Sequence, residues 1–370
     1  MQVRLVIEGS FEFASVCEGR RHGFGNLSKP LTISRGYCLA ERHELDFVSP
    51  VTMLVARILP AVCPAASPRS PTRFHRFIVS ASMTDRRPPL VVLEHIHQMR
   101  NIVWHAQQRG SRVGLVPTMG ALHAGHLSLI DAARRECDFV VTSIFVNPAQ
   151  FGPHEDFSRY PRNFEADLAL CAAAGVDVVF HPTVETMYPN GYSTYVEVTG
   201  LSEVLEGKVR PGHFRGVTTV VLKLFHIIPA DLAYFGQKDY QQQTIIRRMC
   251  AELNLPIEIR VCPTVREPDG LALSSRNVYL TPDERRSALS LSKSLQLAQE
   301  HFLAGRRDLA GVRDEMFELL SGTSRVHAEY ANLIDPDTLE EAGNGLPKLV
   351  AVVAARVGTT RLIDNVIIEI

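Results

Sequence analysis

The chain has 370 residues, with 39 basic and 40 acidic side chains and an apolar fraction of 45%. These values exclude a disordered, collagen-like or coiled-coil protein, and a net charge of −1 provides no general attraction for nucleic acid. The length suits about two domains. Seven cysteines without a C-x-x-C pair favour a reducing compartment over a disulfide scaffold or a cysteine zinc site.

Residues 1–82 differ from the rest of the chain in charge and composition. They carry ten basic and six acidic side chains, a net charge of +4, whereas the remainder carries 29 basic and 34 acidic side chains, a net charge of −5. Prolines recur in residues 58–72 as in a linker, and no apolar run in this segment is long enough to span a membrane. We expect a poorly ordered extension of unknown role, or a start codon placed too early, with Met83 as the true start. A functional tail is the alternative.

From residue 90 onward, strand and helix patterns alternate. A helix is expected at Leu90–Arg109, ended by Gly110, and another follows the loop 118–124. Short apolar runs predict strands at 113–117, 139–146, 176–180, 232–235 and 257–265, with further helices at 164–174, 213–228 and 240–253. This order predicts an α/β fold, a parallel sheet with helices on both faces. Because ligands of such sheets bind beyond the carboxyl ends of the strands, the loops to watch follow Val116, Val146, Phe235 and Val265.

A smaller α+β domain is expected at 268–370, after a catalytic domain at 83–267. Thr281 is the predicted N-cap of its first helix, with Pro282 in the first turn and Glu284 three residues after the cap. This helix reaches Ala304, and the segments that follow are a helix at 309–320 and strands at 328–334, 350–357 and 362–368.

The first candidate loop is His123-Ala124-Gly125-His126, an H-x-G-H sequence between a strand and a helix. Unpaired main-chain N–H groups and the positive end of the helix dipole attract anions there, and Gly125 allows close approach of a nucleotide. The two imidazoles add donors for charge on phosphate oxygens. The strand–loop–helix setting favours nucleotide binding over two ordinary surface histidines.

The second candidate loop contains Asn147 and Gln150, whose amides suit a small polar substrate. An Asn-Pro pair is also a common turn, so this loop alone supports both interpretations. Arg210 and His213 precede a later helix and are expected to add to the same pocket.

The third and fourth loops carry cations. Lys238 and Asp239 open a helix, either as a phosphate-binding cation with a ligand for Mg²⁺ or a ribose hydroxyl, or as a solvated pair at a helix cap. The loop Ser274–Arg276 lies near the domain junction, and it is either a triphosphate clasp or an ordinary polar loop.

Together and in this order, four motifs resemble the pantothenate synthetase family over about residues 88–370: P-T-M-G-A-L-H-A-G-H (117–126), F-V-N-P-A-Q-F (145–151), F-G-Q-K-D-Y-Q-Q (235–242) and S-S-R-N (274–277). The resemblance implies a Rossmann-like domain of the H-x-G-H nucleotidyltransferase type, a C-terminal lid domain and a cytoplasmic homodimer. It also implies ATP with Mg²⁺ and an AMP-forming ligation of pantoate to β-alanine through pantoyl adenylate, in pantothenate and coenzyme A biosynthesis.

The resemblance also implies roles for individual residues. Its ATP-binding set is Met119, Gly120, Ala121, Leu122, His123, Ala124, Gly125, His126, Gly236, Gln237, Lys238, Asp239, Val265, Leu273, Ser274, Ser275 and Arg276. The expected catalytic set is His126 (as acid), His123, Lys238, Ser274, Ser275 and Arg276. Gln150 and Gln242 are expected to hold pantoate, with Gln150 also near β-alanine, and Asn147 and Arg210 complete the substrate set. Asp239 is the candidate Mg²⁺ ligand.

The chain departs from the family pattern at three positions. Ala124 stands where an acidic residue is common, Gln237 where Glu is common, and Leu273 where Met is common. None of the changes removes a group assigned to catalysis, so we expect activity. The alternatives are an adenylyltransferase of the same superfamily, which would give Gln150 and Gln242 no purpose, and a nucleotide sensor without turnover.

Overall fold

A computed structural model describes residues 89–153, 155–343 and 345–369, so the predicted extension at 1–82 and the start at Met83 lie outside the described residues. The strands are β1 (Val91–Leu93), β2 (Val113–Thr118), β3 (Phe139–Ile144), β4 (Val178–Phe180), β5 (Leu232–Gly236), β6 (Glu258–Cys262), β7 (Val326–Ile334), β8 (Lys348–Val357) and β9 (Thr360–Glu369). The helices are α1 (Ile96–Gln108), α2 (Ala124–Glu136), α3 (Phe164–Ala173), α4 (Val184–Met187), α5 (Glu206–Val209), α6 (His213–Ile227), α7 (Tyr240–Glu252), α8 (Pro282–Leu303) and α9 (Leu309–Ser321). None of these helices is long and apolar enough to cross a bilayer.

The first six strands form one sheet in the order β1-β4-β3-β2-β5-β6, and every pairing is parallel. The predicted α/β class is therefore confirmed. From β2 the chain moves to β3 and β4 on one side, whereas β5 returns to the other side of β2 and leads to β6. Since the loops after β2 and β5 diverge, a crevice opens between them at the carboxyl edge of the sheet.

The helix expected at Leu90–Arg109 is wrong at its amino end. Val91–Leu93 is instead the edge strand β1, paired with β4, and α1 begins only at Ile96. Valine favours extended backbone, and a strand of this length is too short to show the alternation that separates strands from helices. The short helices α4 and α5 were also not predicted.

Helices cover both faces of the parallel sheet. Side chains of α1, α6 and α7 pack on one face with Leu115, whereas side chains of α2 and α3 pack on the other face with Val116. Successive residues of β2 thus enter opposite cores, as the pleat of a strand requires. This arrangement sets the amino end of α2 at the crevice.

The last three strands form an antiparallel sheet in the order β7-β8-β9. Helices α8 and α9 cover one face, and Ile334, Val350 and Val352 on the other face join the core of the parallel sheet. The predicted cap of α8 is present, because the Thr281 and Glu284 side chains each accept a main-chain N–H of the other residue. The domain division near residue 268 falls between β6 and α8 and stays a prediction.

Candidate active site

A cleft lies at the carboxyl ends of β2, β3, β5 and β6, and the four predicted loops meet in it. The residues predicted from the sequence that line it are Met119, His123, Gly125, His126, Asn147, Gln150, Arg210, His213, Gly236, Lys238, Asp239, Gln242, Val265, Leu273, Ser274, Ser275 and Arg276. The other members of the predicted ATP-binding set, Gly120, Ala121, Leu122, Ala124 and Gln237, lie in the same loops without lining the cleft.

The two histidines of the H-x-G-H loop cap α2 with their own rings. Nδ1 of His123 accepts the N–H of Gly125 at 3.1 Å, and Nδ1 of His126 accepts the N–H of His123 at 3.3 Å. This is a capping box in which imidazoles replace the usual Ser and Glu side chains. A side chain at position 125 would displace the capping ring, since a Cβ atom there would lie 2.9 Å from Cε1 of His123.

The caps fix the tautomers of both rings. A ring nitrogen that accepts an N–H carries no proton, so each neutral imidazole holds its proton on Nε2. Burial, with the charge of Lys238, lowers the pKa of His123, while burial and the neighbouring His123 lower the pKa of His126 to about 3. His126 therefore offers a neutral N–H donor at physiological pH. This favours stabilisation of charged phosphate oxygens over the expected role as an acid.

We predict that His126 stays neutral, with its proton on Nε2, between about pH 5 and pH 8 in the protein without ATP. Its pKa in the folded state lies below the value of about 6.5 for an exposed histidine, so the unfolded state binds more protons as the pH falls. The group therefore removes stability below about pH 6.5, progressively toward its folded pKa of about 3. Nitrogen-15 shifts of the ring, assigned with His126→Asn, measure this state. An imidazolium signal appearing near pH 6.5 would contradict the prediction.

The lysine loop follows β5 and is held from the C-terminal sheet. The Nζ atom of Lys238 lies 3.5 Å from Oδ1 of Asp239, and the lysine side chain is mostly buried while the aspartate is half exposed. Nδ2 of Asn365, in β9, donates to the carbonyl oxygens of Gln237 (3.0 Å) and Lys238 (2.8 Å). Although burial opposes it, the charge of Lys238 lowers the pKa of Asp239, which keeps the carboxylate ionised.

The serine–arginine loop is tied to the H-x-G-H loop. Oγ of Ser274 accepts the N–H of Arg276 at 3.3 Å, and Oγ of Ser275 donates to the carbonyl oxygen of Ala121 at 3.1 Å. The guanidinium of Arg276 donates from Nε (2.9 Å) and Nη2 (2.8 Å) to the two oxygens of Asp156. The guanidinium that sequence reasoning placed on the triphosphate is therefore paired with a carboxylate of the protein.

Glu155, the residue before Asp156, binds the second guanidinium of the cleft, that of Arg210. Its oxygens accept from Nε (2.7 Å) and Nη2 (2.6 Å) of Arg210. Arg210 also donates to Nε2 of His213 at 3.0 Å, which leaves Nδ1 of His213 to donate to the carbonyl oxygen of Gln150 at 2.8 Å. Burial and the charge of Arg210 lower the pKa of His213 to about 4. Two adjacent carboxylates thus occupy Arg210 and Arg276, the cations that sequence reasoning placed on substrates.

We predict that Asp156→Asn increases the affinity for ATP about threefold, because Arg276 then loses the carboxylate that competes with phosphate oxygens. Titration calorimetry with a non-hydrolysable ATP analogue measures the effect. Asp269→Asn is the matched control, since Asp269 pairs with Arg285 outside the cleft at 2.7 Å. Weaker binding by the Asp156 variant would show that this carboxylate supports the nucleotide site.

In the second loop, the amide of Asn147 positions the amide of Gln150. Nδ2 of Asn147 donates to Oε1 of Gln150 (3.0 Å) and to the carbonyl oxygen of Gly216 (3.1 Å), and its Oδ1 accepts from the hydroxyl of Tyr188 (2.8 Å). The amide of Asn147 is thus used within the protein and orients Gln150. Nε2 of Gln150 lies 3.1 Å from Sδ of Met119, in the lining of the cleft.

Besides Glu155 and Asp156, sequence reasoning missed an apolar wall of the cleft and a polar pair that supports the lysine loop. The first is an apolar wall from α6, formed by Val217, Val220, Val221 and Leu224. Their helical spacing was the available signal, but it equally indicates a core-facing helix. The second is the polar pair Asp364 and Asn365 inside the apolar strand β9, where Asp364 binds Arg266 at 2.6 and 3.0 Å.

A parallel sheet with a helix amino end, two histidines, a lysine and an arginine at its switch point defines a nucleotide-binding α/β protein of the H-x-G-H nucleotidyltransferase type. Residues 91–367 match the family described as pantoate-beta-alanine ligase. The chain therefore belongs to the pantoate–β-alanine ligase family, which confirms the family, fold class and enzyme class expected from the sequence. The roles of individual residues stay predictions.

Curated relatives and solved structures agree with this assignment. The chain is 57% identical over 279 residues to a pantothenate synthetase of Moorella thermoacetica, covering 75% of this chain and 99% of the relative. The crystal structure of pantothenate synthetase from Thermus thermophilus is 45% identical with a TM-score of 0.71, covering 75% of this chain and 98% of that one. Pantoate-beta-alanine ligase from Francisella tularensis, complexed with beta-gamma ATP and beta-alanine, is 34% identical with a TM-score of 0.63, covering 75% of this chain and 97% of that one.

Proposed function

We propose that this enzyme condenses (R)-pantoate with β-alanine, using ATP, to give pantothenate, AMP and pyrophosphate through pantoyl adenylate. The observation that carries the proposal is the meeting of all four family motifs in one cleft. Donors suited to phosphate oxygens, from His123, His126 and Lys238, share this cleft with substrate-type amides and an apolar wall.

The first step activates the carboxylate of pantoate. A carboxylate is a poor acylating agent, because its leaving group would be oxide. A carboxylate oxygen therefore attacks the α-phosphorus of ATP in line and expels pyrophosphate. The protein positions the reactants and neutralises charge on the transferred group. We assign this neutralisation to the ammonium of Lys238 and the Nε2–H groups of His123 and His126, because most main-chain N–H groups in the first turn of α2 already have acceptors within the cap.

Pantoate carries polar groups and two methyl groups on one small skeleton. The amides of Gln150 and Gln242 suit its hydroxyl and carboxylate oxygens, and Asn147 fixes the amide of Gln150 in one orientation. The valines of α6, Val217 and Val220, supply apolar surface for the methyl groups.

The second step forms the amide. The neutral amine of β-alanine attacks the acyl carbonyl of the adenylate, and AMP leaves. Arg210 lies beside Gln150, with Nη2 at 3.5 Å from its carbonyl oxygen, and we propose that a substrate carboxylate takes the place of Glu155 on its guanidinium.

We also propose that the enzyme uses Mg²⁺ with ATP, forms a homodimer and works in the cytoplasm. We propose further that its catalytic and lid domains divide near residue 268. Among the described residues no cluster of three or more His, Cys, Asp or Glu side chains could hold a metal ion. Asp239 nevertheless fits Mg²⁺ that arrives with ATP, because this ion prefers oxygen ligands and binds through one or two carboxylates plus phosphates. When bound, Mg²⁺ neutralises charge on phosphate oxygens.

Product analysis tests the proposed reaction. With ATP, pantoate and β-alanine, we expect equal amounts of AMP and pantothenate, and omission of either acid substrate should abolish both products. Transfer of AMP from ATP to a nucleotide or to phosphopantetheine, with release of pyrophosphate and without an amine, would instead indicate an adenylyltransferase. Tight ATP binding without turnover would indicate a sensor, and each of these results would overturn the proposal.

A further inference from the structure

One carboxylate outside the cleft, that of Asp167, binds the backbone of the loop that leads from β2 into the H-x-G-H sequence. Asp167, in α3, is 3% exposed. Its Oδ2 accepts the N–H of Ala121 at 2.9 Å, and its Oδ1 accepts the N–H of Leu122 at 2.7 Å. Each carboxylate oxygen thus has its own main-chain donor, and hydrogen bonds to an ionised acceptor are the strong ones.

The loop adopts a backbone shape that requires such support. Gly120 has φ +82° and Ala121 has φ +50°, so two successive residues are left-handed. This region suits glycine but is unfavourable for alanine, and such residues persist only where their surroundings hold them. The carboxylate lies so close that a Cβ atom at Gly120 would be 2.9 Å from Oδ2 of Asp167.

The peptide groups of Ala121 connect this carboxylate to the phosphate-directed loops. The N–H of Ala121 is held by Asp167, and its carbonyl oxygen accepts from Oγ of Ser275 at 3.1 Å. Two residues further on, His123 caps α2 and lines the cleft. A shift of Ala121 therefore moves the serine–arginine loop and the histidine pair together.

We propose that Asp167 is a positioning residue for ATP, which fixes the H-x-G-H loop and the serine–arginine loop relative to each other without touching substrate. The inference depends on the proposed function only in taking ATP as the substrate of this cleft. It gives α3, which lies outside all four sequence motifs, a part in nucleotide binding.

Asp167→Ala and Asp167→Asn test the proposal. The alanine variant leaves two buried N–H groups without an acceptor, and we expect KM for ATP to rise about tenfold or more. The asparagine variant keeps one acceptor oxygen, so its KM should fall between those of the wild type and the alanine variant. We expect kcat at saturating ATP to change less, and KM for β-alanine with supplied pantoyl adenylate to stay unchanged.

Asp177→Asn is the matched control for a structural effect. Asp177 also accepts a main-chain N–H, from Val140 at 2.8 Å, and pairs with Arg134 at 2.8 Å, but it lies at the opposite edge of the sheet. We expect this control to lower the melting temperature without changing KM for ATP. If the Asp167 variants do the same, the proposal is overturned.

Titration of each variant with a non-hydrolysable ATP analogue separates this proposal from the proposed function. Weaker binding by both Asp167 variants supports the positioning role even if the wild-type protein forms no pantothenate. Equal binding by the wild type and Asp167→Asn, in a folded protein, would overturn the role whether or not the alanine variant folds.

Discussion

Replacing Lys238 with alanine is expected to lower the rate of pantothenate formation by about 10²- to 10³-fold, with the loss in the step that uses ATP. The Lys238 side chain is mostly buried, and its ammonium lies 3.5 Å from the Asp239 carboxylate. Its removal would leave that carboxylate facing the triphosphate without a neighbouring cation, because the guanidinium groups of Arg210 and Arg276 bind Glu155 and Asp156. Single-turnover formation of pantoyl adenylate measures the effect.

Lys238→Arg keeps the positive charge but replaces a compact ammonium with a larger planar group, so only part of the rate should return. Lys293→Ala, on the exposed side of α8, is the control and should behave as the wild type. A rate for Lys238→Ala within about threefold of the wild type would remove this residue from the phosphate site.

Replacing His126 with alanine is expected to lower the rate about 10²-fold. The substitution removes the Nε2–H donor from the cleft, and it also removes the ring nitrogen that accepts the N–H of His123 at the cap of α2. Both losses act on phosphate binding, so adenylate formation should slow more than amide formation from supplied pantoyl adenylate. Rapid-quench measurement of each half-reaction separates them.

His126→Asn distinguishes the two roles open to this histidine. Its side-chain amide still donates a hydrogen bond but transfers no proton, so a substantial recovery over His126→Ala supports the donor role that the low pKa of His126 favours. No recovery, with a wild-type rate that falls as the pH rises through the pKa of this histidine, would support the acid role. His226→Ala, at an exposed position near the end of α6, is the control and should leave both rates unchanged.

Local signals in the sequence were sufficient to locate the loops of this site. Each of the motifs follows an apolar strand, and parallel strands place their carboxyl ends at one edge, so the sequence alone predicts that His126, Gln150, Lys238 and Arg276 lie together. The cleft brings all of them together. The cap of α8 was predictable for the same reason, because Thr281 and Glu284 interact within one turn.

The contacts that hold these loops were not predictable, because they join residues far apart in sequence. Asp167 lies 46 residues from Ala121, and Asn365 lies 127 residues from Lys238. Neither residue forms part of a motif. The sequence indicated a helix at 164–174 that covers the sheet, but it contained no signal that Asp167 in this helix binds the loop after β2. Asp156 and Glu155 were missed similarly, since a pair of acids before an aromatic residue is typical of many solvated loops.

The most direct test of the pantoyl adenylate account is exchange of labelled pyrophosphate into ATP by the full-length chain. The account predicts exchange that requires pantoate and proceeds without β-alanine, because pyrophosphate leaves before the amine reacts. Exchange that requires β-alanine, or that is absent from folded protein that nevertheless forms pantothenate, would contradict a pantoyl adenylate formed ahead of the amide.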